Sequence, residues 1–189
     1  LAFGRRQTLR PEVLDVNLRL DALSELLLRT LGRAVHLELD LSSEPACVEA
    51  YAAQLETAIL NAVINARGAM PEGGRITLRT ALFEEDGSQC VRLDVTDSGS
   101  GMSREVKDRA FEPFFTTKEI GKGTGLGLSQ IHGFAAQSGG HAEIHSTEGE
   151  GTTVSIILPR SDCQPAQESE EEPVAAIPGG LRVLLVEDN

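Results

Sequence analysis

Two asparagines four residues apart are the first candidates for chemistry. Asn61 and Asn65 lie in a segment from about Ala52 to Ala69 whose apolar residues recur at helical spacing, so both amides lie on one helix face, in line with Thr57. Small neighbours leave room for a ligand, and an amide oxygen is a hard, neutral donor suited to Mg²⁺ that carries phosphate oxygens and waters. The alternative is that both asparagines simply face water.

A short glycine loop follows a strand-like segment at Asp97-Ser98-Gly99-Ser100-Gly101-Met102. The Asp97 carboxylate could accept a hydrogen bond from an exocyclic amine such as that of adenine. The glycines would let the chain turn and approach a flat base. Taken alone, the pattern also fits an ordinary turn at the end of a strand.

A second loop, from Gly121 to Leu128, has a glycine at every second position and directly precedes a predicted helix. Exposed amides and the positive end of that helix suit phosphate oxygens. The loop is not a Walker motif, because Gly123 follows Lys122, and it is not a dinucleotide GxGxxG turn, because Leu126 occupies the last glycine position. A flexible hinge is the alternative interpretation.

The segment from Phe111 to Lys118 lies between these loops and contains three of the six phenylalanines of the chain. Polar residues and glycines flank it, so we predict an apolar latch for a mobile lid. Core packing is the alternative for one or two of the phenylalanines.

The elements that position these segments follow from hydrophobic periodicity. Helices and strands are mixed without regular βαβ alternation, which predicts an α+β fold, a two-layer sandwich with a mixed sheet. The predicted helices run from about Asn17 to Leu31, Ala52 to Ala69 and Leu126 to Ser138. The predicted strands are Val35 to Leu41, a hairpin of Arg75 to Phe83 with Cys90 to Thr96, and a pair of His141 to Ser146 with Thr152 to Leu158.

The sequence predicts one domain with attached segments. Residues 17–159 form the predicted domain, residues 160–180 are a predicted linker rich in acids and proline, and residues 181–189, LRVLLVEDN, suggest the start of a truncated second domain. Residues 1–16 precede the domain.

Composition restricts the function classes. The net charge of -12 disfavours a nonspecific nucleic-acid binder. Cys47, Cys90 and Cys163 lack a CxxC spacing, which favours free thiols in a reducing compartment over a disulfide framework or a zinc site. There is no apolar run long enough to span a membrane and no signal-peptide layout or initiator Met, so we expect a soluble excised fragment without membrane contact.

In order and spacing, the segments resemble the GHKL family of ATP-binding domains, which includes sensor histidine kinases, DNA gyrase, the MutL repair proteins and a heat-shock chaperone. The resemblance extends from about Leu9 to Pro159. LETAILNAVINARGAMPEGG is similar to the N box, DSGSGM to the G1 box, FEPFFTTK to the F box, GKGTGLGL to the G2 box and GEGTTV to a final glycine box. The wording of the F box is specific to histidine kinases. The resemblance implies the GHKL (Bergerat) type of sandwich with an ATP lid.

The resemblance also implies a role for individual residues. Asn65 would be the Mg²⁺ ligand, Asn61 would line the phosphate site, and these two would be the catalytic residues. Asp97 would read the adenine amine of ATP. The other implied contacts are Gly99, Gly101 and Met102 beside the base, Gly123, Thr124, Gly125, Leu126 and Gly127 at the phosphates, Lys118 and Lys122 in the lid, Thr152 near the adenine, and Arg67 as a phosphate contact.

Asn61 discriminates within the family. Members that resemble gyrase have Glu there as a general base for water, and an amide cannot take up a proton, so we expect slow hydrolysis. Gly68 departs from the commoner Asp, and Ala50-Tyr51 replaces a frequent Asp-Pro.

The resemblance therefore implies a protein-histidine kinase domain without its phosphoacceptor. None of His36, His132, His141 and His145 lies in an acceptor-like motif. LAFGRRQ resembles the end of a dimerisation helix and LRVLLVEDN the first strand of a receiver domain, which implies a hybrid kinase. We expect this domain to be cytoplasmic, within a homodimeric parent that can itself be membrane-bound. The dimerisation domain of the parent would carry the histidine, and its receiver would take the phosphoryl group onward. The rival functions are an ATP-driven conformational switch and a noncatalytic nucleotide-binding module.

Overall fold

The computed structural model describes residues 10–118 and 123–163, and nothing outside these ranges is considered below. Within them the chain forms two sheets and four helices in an α+β arrangement. In chain order the elements are β1 (Glu12–Asp15), α1 (Val16–Leu31), β2 (Val35–Asp40), β3 (Cys47–Ala50), α2 (Ala52–Gly68), β4 (Gly74–Glu85), β5 (Ser88–Asp97), α3 (Arg104–Asp108), α4 (Gly127–Gln137), β6 (His141–Thr147) and β7 (Gly151–Pro159).

The main sheet has five strands in the order β2-β4-β5-β7-β6. The β2–β4 pair is parallel and the other pairs are antiparallel, so the predicted mixed sheet is confirmed. The predicted hairpin is β4–β5, which turns at Asp86 and Gly87. In the β5–β7 register Asp97 lies opposite Thr152, which brings two predicted site residues to one end of the sheet.

One face of this sheet and the three long helices enclose the core. Alternate residues of each strand belong to it, as the pleat requires, and α1 contributes leucines at three- and four-residue steps. The buried face of α2 includes small side chains, since three of its buried residues are alanines. Large buried side chains at the centre are Leu20, Leu27, Leu55, Ile59, Ile76, Leu78, Ile131 and Ile156.

A two-stranded sheet that the sequence did not predict extends the domain beyond both predicted ends. β1 pairs antiparallel with β3, and Leu14 of β1 is buried. Asp15 then caps α1 by accepting a hydrogen bond from the Asn17 amide at 2.9 Å. At the other end, Arg160 bridges to Val48. The folded unit therefore begins before Asn17 and continues past Pro159.

The prediction of three free thiols is wrong for two of them. Cys47 of β3 and Cys163 are joined by a disulfide, with their Cα atoms 5.5 Å apart. The Ser161 amide also donates to the Cys47 carbonyl at 2.8 Å, so the backbone already brings the two cysteines together. Cys90 is free and buried, and desolvation, with a smaller contribution from the charge of Glu85, raises the pKa of its thiol.

Candidate functional site

The asparagine face of α2 lies directly against the first turn of α4. Asn61 Nδ2 donates to Gln130 Oε1 at 2.8 Å, and a Cβ added at Gly127 would lie 3.0 Å from Asn65 Nδ2. Both asparagines are half-buried, whereas Thr57 is exposed and its hydroxyl bonds back to its own helix. The structure thus brings the two amides to a helix N-terminus, where unpaired backbone N–H groups favour anions.

Asp97 lies at the end of β5 with its side chain buried on the helix-covered face of the sheet. Its Oδ1 accepts the Gly99 amide at 2.8 Å. Desolvation raises the pKa of this carboxyl, and backbone hydrogen bonds with Gly99 and Thr152 oppose the rise. A buried carboxylate with spare acceptor capacity suits a donor such as an exocyclic amine.

The loop after Asp97 is held between α2 and the β6–β7 turn. The Ser100 amide donates to the Ala69 carbonyl at 3.1 Å, and the Ser100 carbonyl accepts from the Gly149 amide at 2.7 Å. Gly101 has φ +64°, and a Cβ there would collide with the Thr147 carbonyl. This position therefore requires glycine both for its backbone conformation and for its close approach.

Met102 and Thr152 share one hydroxyl partner. The Met102 amide donates to Ser146 Oγ at 2.9 Å, and that oxygen lies 2.9 Å from Thr152 Oγ1. Thr152 is buried beside Asp97. The predicted base-binding residues are therefore brought together, with Ser146 between two of them.

The two ends of the predicted lid run side by side. The Phe114 amide donates to the Gly125 carbonyl at 2.9 Å, and a Cβ at Gly123 would lie 3.0 Å from Thr116 Oγ1. Thr124 is exposed on this segment and receives the Leu126 amide at 3.4 Å. Gly121 and Lys122, which the sequence assigns to the lid and its phosphate loop, lie outside the described residues.

The three phenylalanines of the predicted latch have different surroundings. Phe111 packs on His132 of α4 with ring centroids 5.1 Å apart, and the Arg109 guanidinium lies 4.2 Å from the centre of the Phe115 ring. Phe114 is 74% exposed and has φ +66°, a conformation uncommon for a bulky residue. Two rings therefore pack within the domain and the third faces outward.

Lys118 extends over the last turn of α2. Its Nζ would lie 2.7 Å from a Cβ placed at Gly68. Glycine at this position, where the resemblance leads one to expect Asp, thus makes room for the lysine. The ammonium therefore lies beside Gly68, which is three residues beyond Asn65 on α2.

Arg67 is not brought to the other predicted site residues. Its Nη1 donates to the Thr30 carbonyl at 2.6 Å, near the C-terminal end of α1. Arg67 is two residues beyond Asn65, which places it about 200° further around the helix. The structure therefore gives the guanidinium a capping contact with α1 and offers no support for the expected phosphate contact.

Sequence reasoning missed Gln130 and Ser146. Gln130 is 69 residues from the asparagine it contacts, and no periodicity within α4 distinguishes it from a surface residue. The sequence pattern around Ser146 predicts only a strand. Its position opposite Thr152 in the β6–β7 register would have drawn attention to it, because cross-strand neighbours interact.

The donor set fits a metal that arrives with its ligand better than a dedicated protein cage. Among residues 10–118 and 123–163 there is no cluster of three or more His, Cys, Asp or Glu side chains that could hold a metal ion. The amides of Asn61 and Asn65 are neutral oxygen donors at the anion-favouring end of α4. Such a site suits Mg²⁺ that keeps phosphate oxygens and waters among its ligands.

Comparison with known proteins decides the family. The model of the histidine kinase-, DNA gyrase B- and HSP90-like ATPases matches residues 50–162, more than half of the chain. The chain belongs to this family. It is 44% identical to the sensor kinase CckA of Brucella abortus (strain 2308), an alignment that covers all of this chain and 22% of that protein. It is 38% identical to the sensor histidine kinase ZraS of Escherichia coli (strain K12), over 59% of this chain and 23% of that protein.

Solved structures agree with this assignment. The mycobacterial sensor histidine kinase MprB superimposes with a TM-score of 0.66 at 27% identity, covering 79% of this chain and 97% of that one. Full-length ShkA in complex with AMPPNP has a TM-score of 0.66 at 26% identity, covering 79% of this chain and 31% of that one. The chain is therefore a catalytic domain of the histidine kinase type, and the predicted fold is confirmed. It spans about a fifth of the length of the curated relatives named above.

None of the helices in the described part of the chain is both long and apolar enough to cross a membrane.

Proposed function

We propose that this domain binds Mg·ATP between α2, α4 and the loop after Asp97. In the intact protein it would donate the γ-phosphoryl group to a histidine of a separate dimerisation domain. The observation that carries the proposal is the joint arrangement of Asn61 and Asn65 against the N-terminus of α4, with buried Asp97 directly before the loop that contacts Ala69 at the end of α2. Phosphates need hydrogen-bond donors, which the N-terminus of α4 supplies. The amine of the base needs an acceptor, which the Asp97 carboxylate supplies.

The proposal assigns a role to each of the main site residues. Asn65 would hold Mg²⁺ and Asn61 would line the phosphate site, so that both help to neutralise charge on the transferred group. Backbone amides from Gly123 to Gly127 would bind the phosphates. Asp97 and Thr152 would orient the adenine. Magnesium would neutralise phosphate charge, and the protein would contribute mainly position.

Asn61 favours a kinase over an ATP-driven switch. It occupies the position at which gyrase-like members carry a glutamate base, and its amide cannot accept the proton of an attacking water. Bound ATP would then persist until a histidine attacks it. The sensor-kinase names of the relatives support the same choice.

The remaining domains are also proposals. Residues 1–16 would be the end of the helix of a dimerisation domain that carries the histidine, with a connector, and residues 181–189 would begin a receiver domain, which makes the parent a hybrid kinase. The alignment with CckA, which extends over the whole chain, supports placing both flanks within a larger sensor kinase. We expect the parent to be a homodimer and this domain to work in the cytoplasm.

Two measurements test the proposal. Isothermal titration of the chain with AMPPNP should give binding that Mg²⁺ strengthens and that persists, more weakly, in EDTA. Mixing the chain with Mg·ATP labelled at the γ-phosphate and a histidine-bearing dimerisation domain should label the histidine. Binding without any labelled histidine would favour a noncatalytic nucleotide module, and ATP turnover that Asn61→Ala abolishes would favour the conformational switch.

A further inference from the structure

Gln130 contacts one of the proposed phosphate-site residues and has no role so far. It lies on the first turn of α4, and its Oε1 accepts a hydrogen bond of 2.8 Å from Asn61 Nδ2. This is a contact between side chains of two different helices. Because Gln130 is exposed, the bond contributes little to folding, since exposed hydrogen bonds compete with water.

The backbone on both sides of this bond is fixed. Ile131, Phe134 and Ala135 bury one face of α4 in the core, and Ala62 and Val63 bury the neighbouring face of α2. The Gln130 amide continues the helix by donating to the Leu126 carbonyl at 2.9 Å. Gln130 therefore presents its side chain to Asn61 from a rigid support.

The direction of the bond determines which end of the Asn61 amide remains available. The nitrogen and oxygen of an amide lie on different sides of its carbon, so a nitrogen held by Gln130 turns Oδ1 away from the Gln130 side chain. Without that acceptor the amide could rotate and present either atom. Only the oxygen can accept a hydrogen bond from a water bound to a metal ion.

We propose that Gln130 is a positioning residue that holds the Asn61 amide with its oxygen toward the metal-bearing phosphates of the nucleotide. The inference rests on the proposed function, because it assigns a task to a residue behind the same site. Gln130 would act through Asn61 and would not need to touch the nucleotide.

A double-mutant cycle tests this dependence on Asn61. The affinity of the 189-residue chain for AMPPNP with Mg²⁺ is measured by titration for the unaltered chain, Gln130→Leu, Asn61→Ala and the double variant. Leucine removes the acceptor at similar size. We expect Gln130→Leu to weaken binding roughly two- to tenfold, the range of one net hydrogen bond. We expect no further loss when it is added to Asn61→Ala.

Two further readouts separate positioning from a structural role. Binding of AMPPNP in EDTA should be the same for Gln130→Leu and the unaltered chain, and their melting temperatures should agree. Gln137→Leu, at the exposed far end of α4, is the matched control and should bind as the unaltered chain does. Equal losses from Gln130→Leu in both Asn61 backgrounds, or a loss that persists in EDTA, would overturn the inference alone. Failure of the unaltered chain to bind AMPPNP would overturn the proposed function, and this inference with it.

Discussion

At the scale of single residues, burial makes Asp97 an effective hydrogen-bond acceptor for the amine of a base. Water competes weakly for a buried carboxylate, so one hydrogen bond from a ligand counts for more there than at the surface. Asp97→Asn keeps an acceptor for the Gly99 amide but loses the charge. We expect the variant to bind AMPPNP at least tenfold more weakly, since hydrogen bonds to charged groups contribute roughly 1.5–3 kcal/mol.

Asp94→Asn is the matched control for this prediction. Asp94 is also buried, but it lies on the opposite face of the sheet, where it accepts from Ser155 Oγ at 2.6 Å and from Arg92. Its loss should lower the free energy of unfolding and leave nucleotide affinity unchanged. A similar loss of affinity in both variants would mean that Asp97 acts through stability alone.

The raised pKa of Asp97 gives a second prediction with a definite sign. A carboxyl whose pKa is higher in the folded state than its ordinary value of 3.8 favours folding below that value, and this contribution is lost as pH rises through the folded pKa. The free energy of unfolding of the unaltered chain should therefore fall relative to Asp97→Asn as pH rises from about 4 to 7. Urea denaturation at each pH measures the difference. A difference that is constant with pH, or that changes in the opposite direction, would show that burial does not raise this pKa.

Gly127 shows how closely α4 approaches Asn65. An alanine Cβ would lie 3.0 Å from Asn65 Nδ2, so the amide must move even though alanine favours a helix. We expect Gly127→Ala to weaken Mg²⁺-dependent AMPPNP binding roughly fivefold, about the value of one net hydrogen bond, without lowering the melting temperature. Titration and thermal unfolding of the same preparation measure both quantities.

Gly133→Ala supplies the control on the same helix. There is open space around Gly133, and its exposed position lets alanine replace glycine without a collision. The free energy of unfolding should rise by about 0.5–1 kcal/mol, and nucleotide affinity should stay the same. Weaker binding in Gly133→Ala would show that α4 as a whole, and not its contact with Asn65, controls the site.

At the scale of elements, a backbone hydrogen bond from Phe114 to Gly125 joins the two ends of the lid. Gly125 has φ +67°, and a Cβ there would collide with the Phe114 backbone. Gly125→Ala should therefore separate the Phe114 and Gly125 ends of the lid and weaken nucleotide binding several-fold. The core and the melting temperature should change little. Gly87→Ala, which has φ +78° and open space in the β4–β5 hairpin, tests the strain alone and should leave binding unchanged.

The sequence predicted long periodic elements well because their patterns are local. The leucines of α1 and the alternation in β4 and β5 appear within one window of residues, and these elements are confirmed. β1 and β3 have four residues each and depend on pairing with each other across 32 residues of sequence (Asp15 with Cys47) to 38 (Glu12 with Ala50), so no local pattern predicts them. The contact of Asn61 with Gln130 and the turn of Arg67 toward α1 are also tertiary, and only the packing of helices decides them.

At the scale of the whole molecule, the disulfide connects the exit of the domain to its smaller sheet. Cys47 and Cys163 are 116 positions apart, and the loop that they enclose contains α2, α4 and four of the five strands of the main sheet. A crosslink over so long a loop restricts the unfolded chain, and the chain-entropy model assigns it roughly 4–5 kcal/mol as an upper value. The neighbouring hydrogen bond from Ser161 to Cys47 would persist after reduction and hold the same strand end in place.

We therefore expect Cys163→Ser to lower the free energy of unfolding by about 2–4 kcal/mol. We expect AMPPNP affinity to stay unchanged, because the disulfide holds β3, which pairs with β1, whereas α2, α4 and the loop after Asp97 carry the proposed site. Reduction of the unaltered chain with dithiothreitol should give the same loss, and dithiothreitol should have no effect on the variant. Alkylation of the oxidised, unfolded chain should label Cys90 alone, and after reduction all three cysteines should react. Labelling of three thiols in the oxidised preparation, or equal stability of the two chains without reductant, would show that the domain folds in solution with Cys47 and Cys163 unpaired.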